Sequence, residues 1–97
     1  MTSMEKKLTE NRLTEVKAAL SAKYRTVDLG GEKFFVATDG AFFRVGAFPG
    51  AMALVIEYAD TEQEARQNVL EDGDRFYLDE TTLDEMLRLM IAEIDRC

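Results

Sequence analysis

The chain has 97 residues, 46% of them hydrophobic and nine aromatic, with 19 acids against 12 bases and no histidine. That length makes one domain, residues 1–97, burying roughly 60–65% of its unfolded surface, and the apolar content excludes a disordered chain. A net charge of −7 argues against nucleic acid, whose phosphates it would repel.

The single cysteine, Cys97, has no partner in the chain, which fits a reducing compartment. No segment approaches the 18 apolar residues of a membrane span, and "MTSMEKKLTENRLTEV" lacks the apolar core of a signal peptide, so the cytoplasm and no membrane association are expected. The charge is uneven. Residues 1–56 carry eight Lys and Arg against six acids, residues 57–85 carry eleven acids against Arg66 and Arg75, and residues 86–97 balance at two each. Such asymmetry produces a one-sided field that steers a basic partner.

Met4, Leu8, Leu13, Val16, Leu20 and Tyr24 form an apolar stripe at helical spacing, and Thr2 with Glu5 matches a capping box. Lys6, Lys7, Glu10, Arg12 and Lys17 occupy the polar face. Its mixed charge argues against a membrane-surface helix. The period then changes. "YRTVDL" reads as a strand, Gly30-Gly31 as a turn and "KFFVAT" as a second strand. Asp39-Gly40 predicts a type I′ hairpin turn into a third strand, "AFFRVGAF". Pro49-Gly50 turns the chain into a fourth, "AMALVIEYA", whose continuous apolar run predicts burial on both faces. Adjacent residues of a strand point to opposite faces, so Phe34-Phe35 and Phe42-Phe43 each place one ring on either side.

The acidic stretch follows. Thr61 with Glu64 matches a capping box opening a short helix, "EQEARQNVL". Asp72-Gly73 reads as a turn and "RFYL" as a strand, with Phe76 and Leu78 entering the core. Thr82 with Glu85 matches a third capping box. Leu83, Leu87, Met90 and Ile94, widened by Met86 and Ile91, give a closing helix. The expected fold class is α+β: a mostly antiparallel sheet of four to five strands between N- and C-terminal helices, in the order α-β-β-β-β-α-β-α.

Chemistry is sparsely represented. An EF-hand register with Gly73 at its sixth position puts Leu70 at the third, where it cannot coordinate. Weak calcium binding at Glu71, Asp72 and Asp74 is the residual metal reading, and the absence of histidine disfavours zinc. Ser3 and Ser21 lack a histidine base. Gly30-Gly31 precedes a strand rather than a helix, so it is no phosphate loop. No enzyme, cofactor or metal is expected. Neither the turn nor the cap requires eleven acids in residues 57–85, and binding a basic protein would.

"VIEYADTEQEA", "EDGDRFYLD" and "DEMLRLMIAEI", spread over residues 50–96, resemble small acidic bacterial proteins, some of them immunity proteins of polymorphic toxin systems. The resemblance implies a cytosolic protein that binds and blocks a cognate toxin domain, and it assigns no functional residue. Toxin nucleases are commonly basic, so an acidic inhibitor face suits them. On the charge reading, Asp60, Glu64, Glu71, Asp72, Asp74 and Asp79 are candidate partner contacts, with Tyr77 as an aromatic anchor. Two other readings remain: a phage-type nucleic-acid mimic blocking a host nuclease, and a regulatory or ligand-binding homodimer using the second sheet face.

Overall fold

The computed structural model describes residues 3–96. Thr2, half of the first predicted capping box, and Cys97 lie outside them. Helix α1 (Ser3–Lys23) leads into strands β1 (Thr26–Leu29), β2 (Glu32–Val36) and β3 (Phe42–Phe48). A single 3₁₀ turn (Pro49–Ala51) precedes β4 (Ala53–Ala59). The short helix α2 (Glu62–Arg66), strand β5 (Glu71–Tyr77) and helix α3 (Leu83–Arg96) complete the chain. This is the α+β order expected. All strand pairs are antiparallel, in the spatial order β1-β2-β3-β4-β5, so the sheet is a meander with α2 inserted in its last connection.

The paired phenylalanines divide as alternation requires. On the first face Phe35 and Phe43 join Val45, Leu54, Ile56 and Phe76 beneath α1 and α3, which contribute Val16, Leu20, Met86, Met90 and Ile94, with Tyr24 just past the end of α1. Phe43 stacks on Phe35 with centroids 5.2 Å apart and makes a T-shaped contact with Tyr24, centroids 5.3 Å apart. On the second face Phe34 is buried with Leu29, Ala59 and Ala65 of α2, and Phe42 packs beside them. The predicted double burial of β4 is observed, since Ala53, Leu54, Val55 and Ile56 are all buried.

Several local expectations are corrected. The α1 stripe does not run its full length, because Met4 and Leu8 are exposed and Thr9 is buried instead. A 21-residue helix spans about 31 Å and a seven-residue strand about 23 Å, so α1 overhangs the sheet it packs on. The type I′ turn lies at Gly30-Gly31, with φ of 60° and 83°, and not at Asp39-Gly40. There the Asp39 carboxylate accepts from the Ala41 amide at 3.0 Å, only Gly40 takes positive φ, and Thr38–Gly40 form a three-residue loop. Helix α2 stops at Arg66, short of the predicted Leu70. Asn68 turns left-handed at φ 59° and lets the Val69 amide reach back to the Glu64 carbonyl at 2.9 Å.

The largest correction concerns Asp72-Gly73, which makes no turn. Residues 71–77 form one strand pairing with β4 from Tyr58 down to Ala53. The apolar run of β4 explains this, because a strand buried on both faces needs ladder partners on both sides. A register shift between Val55 and Glu57, a β-bulge, sets Gly73 and Asp74 against Ile56 and keeps Asp72 paired with Glu57.

Candidate functional site

Among the described residues, strand β5 has β4 on one side and no strand on the other. Its hydrogen-bonding directions follow from one bond: the Leu78 amide donates to the Met52 carbonyl at 2.9 Å. Leu78 opposite Met52 continues the register of Phe76 opposite Leu54, so both pairs point their backbone groups inward. Arg75 and Tyr77, opposite Val55 and Ala53, therefore point theirs outward. The Tyr77 carbonyl is engaged, accepting from the amides of Glu80 and Thr81 and from the Thr81 hydroxyl at 2.7 Å.

The predicted contact residues fall in three places. Asp60, exposed, follows β4, and Glu64 sits on α2. The Glu64 carboxylate accepts from the Thr61 amide at 3.1 Å and from the Thr61 hydroxyl at 3.0 Å, so capping occupies it. Glu71, Asp72 and Asp74 are exposed along β5, with Tyr77 half-buried at its end. Asp79 lies beyond the strand, in a separate hollow of about 300 Å³ lined by Leu8, Arg12, Met52 and Leu78. The structure thus brings together the four β5 residues and leaves Asp60, Glu64 and Asp79 at the ends.

The bulge carries a feature that the charge argument missed. Glu93 of α3 is 7% exposed. It accepts from the Asp74 amide at 3.1 Å and from the Tyr58 hydroxyl. Gly73 permits this approach, since a Cβ there would meet the Tyr58 ring at 2.8 Å and the Glu93 carboxylate. Burial pushes the Glu93 carboxyl above its ordinary value, and the nearby Asp74 carboxylate adds to that, while the two donated hydrogen bonds oppose it. The signal was present in the sequence: Glu93 stands three residues after Met90 and seven after Met86, on the buried stripe of α3.

Between the outward edge of β5 and α3 runs a groove of about 550 Å³, lined by Asp74, Phe76, Tyr77, Glu80, Leu89 and Ala92 among others. Arg75, the one base of β5, also lines this groove, and its guanidinium lies 4.6 Å from the centre of the Phe48 ring. Beyond it Arg44 pairs with Glu57 at 3.2 Å and with Glu32 at 3.6 Å on the same sheet face. Among the described residues no group of three or more acids and cysteines is placed to hold a metal ion. No described helix is long and apolar enough to cross a membrane.

Comparison with protein-family models, curated proteins and solved structures returns no match to this chain.

Proposed function

We propose that this chain is a non-enzymatic protein-binding inhibitor, a cytosolic immunity protein that neutralises a basic toxin domain across its acidic strand β5. The observation that carries the reading is the exposure of Glu71, Asp72 and Asp74 along the open edge of the sheet, inside a segment with eleven acids and two bases. Neighbouring like charges repel and stabilise nothing in the fold, whereas together they attract a basic surface and speed its association.

The partner is sought in the reading frame beside this gene, as a compact basic C-terminal domain of a longer toxin. Its association rate is measured over a range of salt for the natural chain and for Glu71→Lys, Asp72→Lys and Asp74→Lys combined. The triple reversal is expected to slow low-salt association at least tenfold and to flatten the salt dependence. Unchanged kinetics would sink the proposal. A second reading, a nucleic-acid mimic, draws on the same row of acids along one strand, and it alone requires duplex DNA to compete for the partner.

A further inference from the structure

We infer that the edge of β5 and the groove beside it take up an extended strand of the partner, one with lysine or arginine at every second position, as a sixth strand of the sheet. The inference rests on the acidic-docking reading and adds the binding mode and the sequence pattern recognised.

Three observations carry it. The first is main-chain valence. Arg75 presents both its N–H and its C=O outward, as a residue of an antiparallel hydrogen-bonded pair does, and Tyr77 presents its N–H. The Tyr77 carbonyl is taken by the turn into α3, so that turn ends the docking edge. The second is shape. Side chains alternate along an added strand, so every second one enters the groove between β5 and α3. Leu89, 36% exposed, and Ala92 line it on the α3 side, with Phe76 and Tyr77 across from them.

The third is charge. Asp74 and Glu80 stand at this groove, while the Arg75 guanidinium is held over Phe48. A long basic side chain fits both properties, its methylenes against Leu89 and Ala92 and its head at the carboxylates. Charge also argues against a second copy of this chain as occupant. A second β5 edge would bring three more exposed acids, Glu71, Asp72 and Asp74, and one base to an edge that is already acidic.

The test uses the full chain and three blocked heptapeptides. One alternates lysine with threonine, one has the same composition with its lysines consecutive, and one is the alternating peptide N-methylated at two alternate amides. Affinity is read by fluorescence anisotropy, and hydrogen exchange at the Arg75 and Tyr77 amides by NMR. The alternating peptide is expected to bind and to slow exchange at both amides at least tenfold. N-methylation should weaken binding several-fold, since the hydrogen bond to the Arg75 carbonyl is lost and the added methyls hold the strand off the edge. Leu89→Ser, at a partly exposed position, should weaken it as well.

Equal binding by all three peptides, with neither amide protected, would reduce the interaction to charge attraction and overturn the inference. Absence of binding by the alternating peptide would overturn it too. So would a concentration-dependent dimer in sedimentation that protects the same two amides without peptide, since the edge would then belong to a second copy. Failure here leaves the docking reading standing if the toxin domain still responds to the triple reversal. Loss of that response removes both.

Discussion

Against the first face of the sheet lie two helices of 21 and 14 residues, which cover Phe35, Phe43, Leu54, Ile56 and Phe76. Against the second lies a five-residue helix over Leu29, Phe34 and Ala59, and farther along the Arg75 guanidinium rests on Phe48. Both faces bury comparable phenylalanines, yet one is closed by helix packing and the other largely by side chains that reach across it. Hydrophobic closure is non-directional and tolerates no gap, whereas an arginine laid over a ring is individually weak and replaceable. The first face should therefore hold the fold. The second should yield before it.

The largest expected difference is between Phe43→Ala and Phe34→Ala. Phe43 is enclosed by Tyr24 and Phe35 under two long helices, so its cavity has little means of collapsing. The loss should lie at the upper end of about 3–5 kcal/mol. Phe34 is equally buried, but its lid is α2 and the Arg44 guanidinium, 5.7 Å from its ring centre, and both can settle inward. Its loss should lie at or below the bottom of that range. Urea midpoints of the two variants measure the gap, and equal costs would break the contrast between the faces.

Gly73→Ala tests the joint between the first face and the acidic edge. The added methyl meets Tyr58 at 2.8 Å, the Glu93 carboxylate and the Ile56 carbonyl at 3.1 Å. About 1–3 kcal/mol should be lost by overpacking. Glu93→Ala removes one of those obstacles, so the double variant should be more stable than the sum of the two single losses predicts. Strict additivity would show that Glu93 does not set the spacing at the bulge.

Most of this architecture could be read from the residues. Alternation placed the four phenylalanines on their faces, helical spacing placed Met86, Met90 and Ile94, and the capping box at Thr61 and Glu64 is fully formed. What escaped did so for different reasons. Asp72-Gly73 carries strong turn chemistry, and the demand of buried β4 for a partner strand outweighed it. Asp39-Gly40 lost its type I′ turn to an aspartate side chain that bonds its own loop. Glu93 counts as charge in a composition but acts as the acceptor for a bulged amide, a role that exists only once β5 and α3 meet. Of the contact residues, Glu71, Asp72, Asp74 and Tyr77 share an edge because they share a strand. Glu64 was a cap before it was anything else.

A smaller effect follows from Glu93 and carries a sign. Its carboxyl is raised by burial, so between its ordinary value of 4.5 and its folded value the native state holds a proton that the unfolded chain has released. Its contribution to stability is fully present below pH 4.5 and is lost as pH rises through the folded value. Glu93→Gln keeps one acceptor and removes the titration. The stability of this variant relative to the natural chain should therefore climb from pH 4.5 toward neutrality. Denaturation curves at pH 4 and pH 7 check the slope, and a flat or falling difference would mean that the hydrogen bonds from Tyr58 and Asp74 outweigh burial. Tyr24, whose phenol is raised by burial and by its 2.8 Å hydrogen bond to Asp95, adds the same sign of slope only above pH 10.

The smallest effect is the one that defines the second face. Arg75 is exposed and its guanidinium sits over Phe48, so the contact contributes about 0.5–1 kcal/mol. Arg75→Met keeps an apolar stem over the ring and removes the cation, and should cost no more than that. Arg75→Ala also uncovers Val55, directly across the ladder, and should cost somewhat more. If the two variants lose stability equally, the charge and not the stem closes this end of the sheet. If Arg75→Met matches the natural chain while Arg75→Ala does not, the stem does the covering and the guanidinium is dispensable. Neither change touches the outward N–H and C=O of residue 75. Peptide docking at the β5 edge should therefore survive both, even as the face behind it loosens.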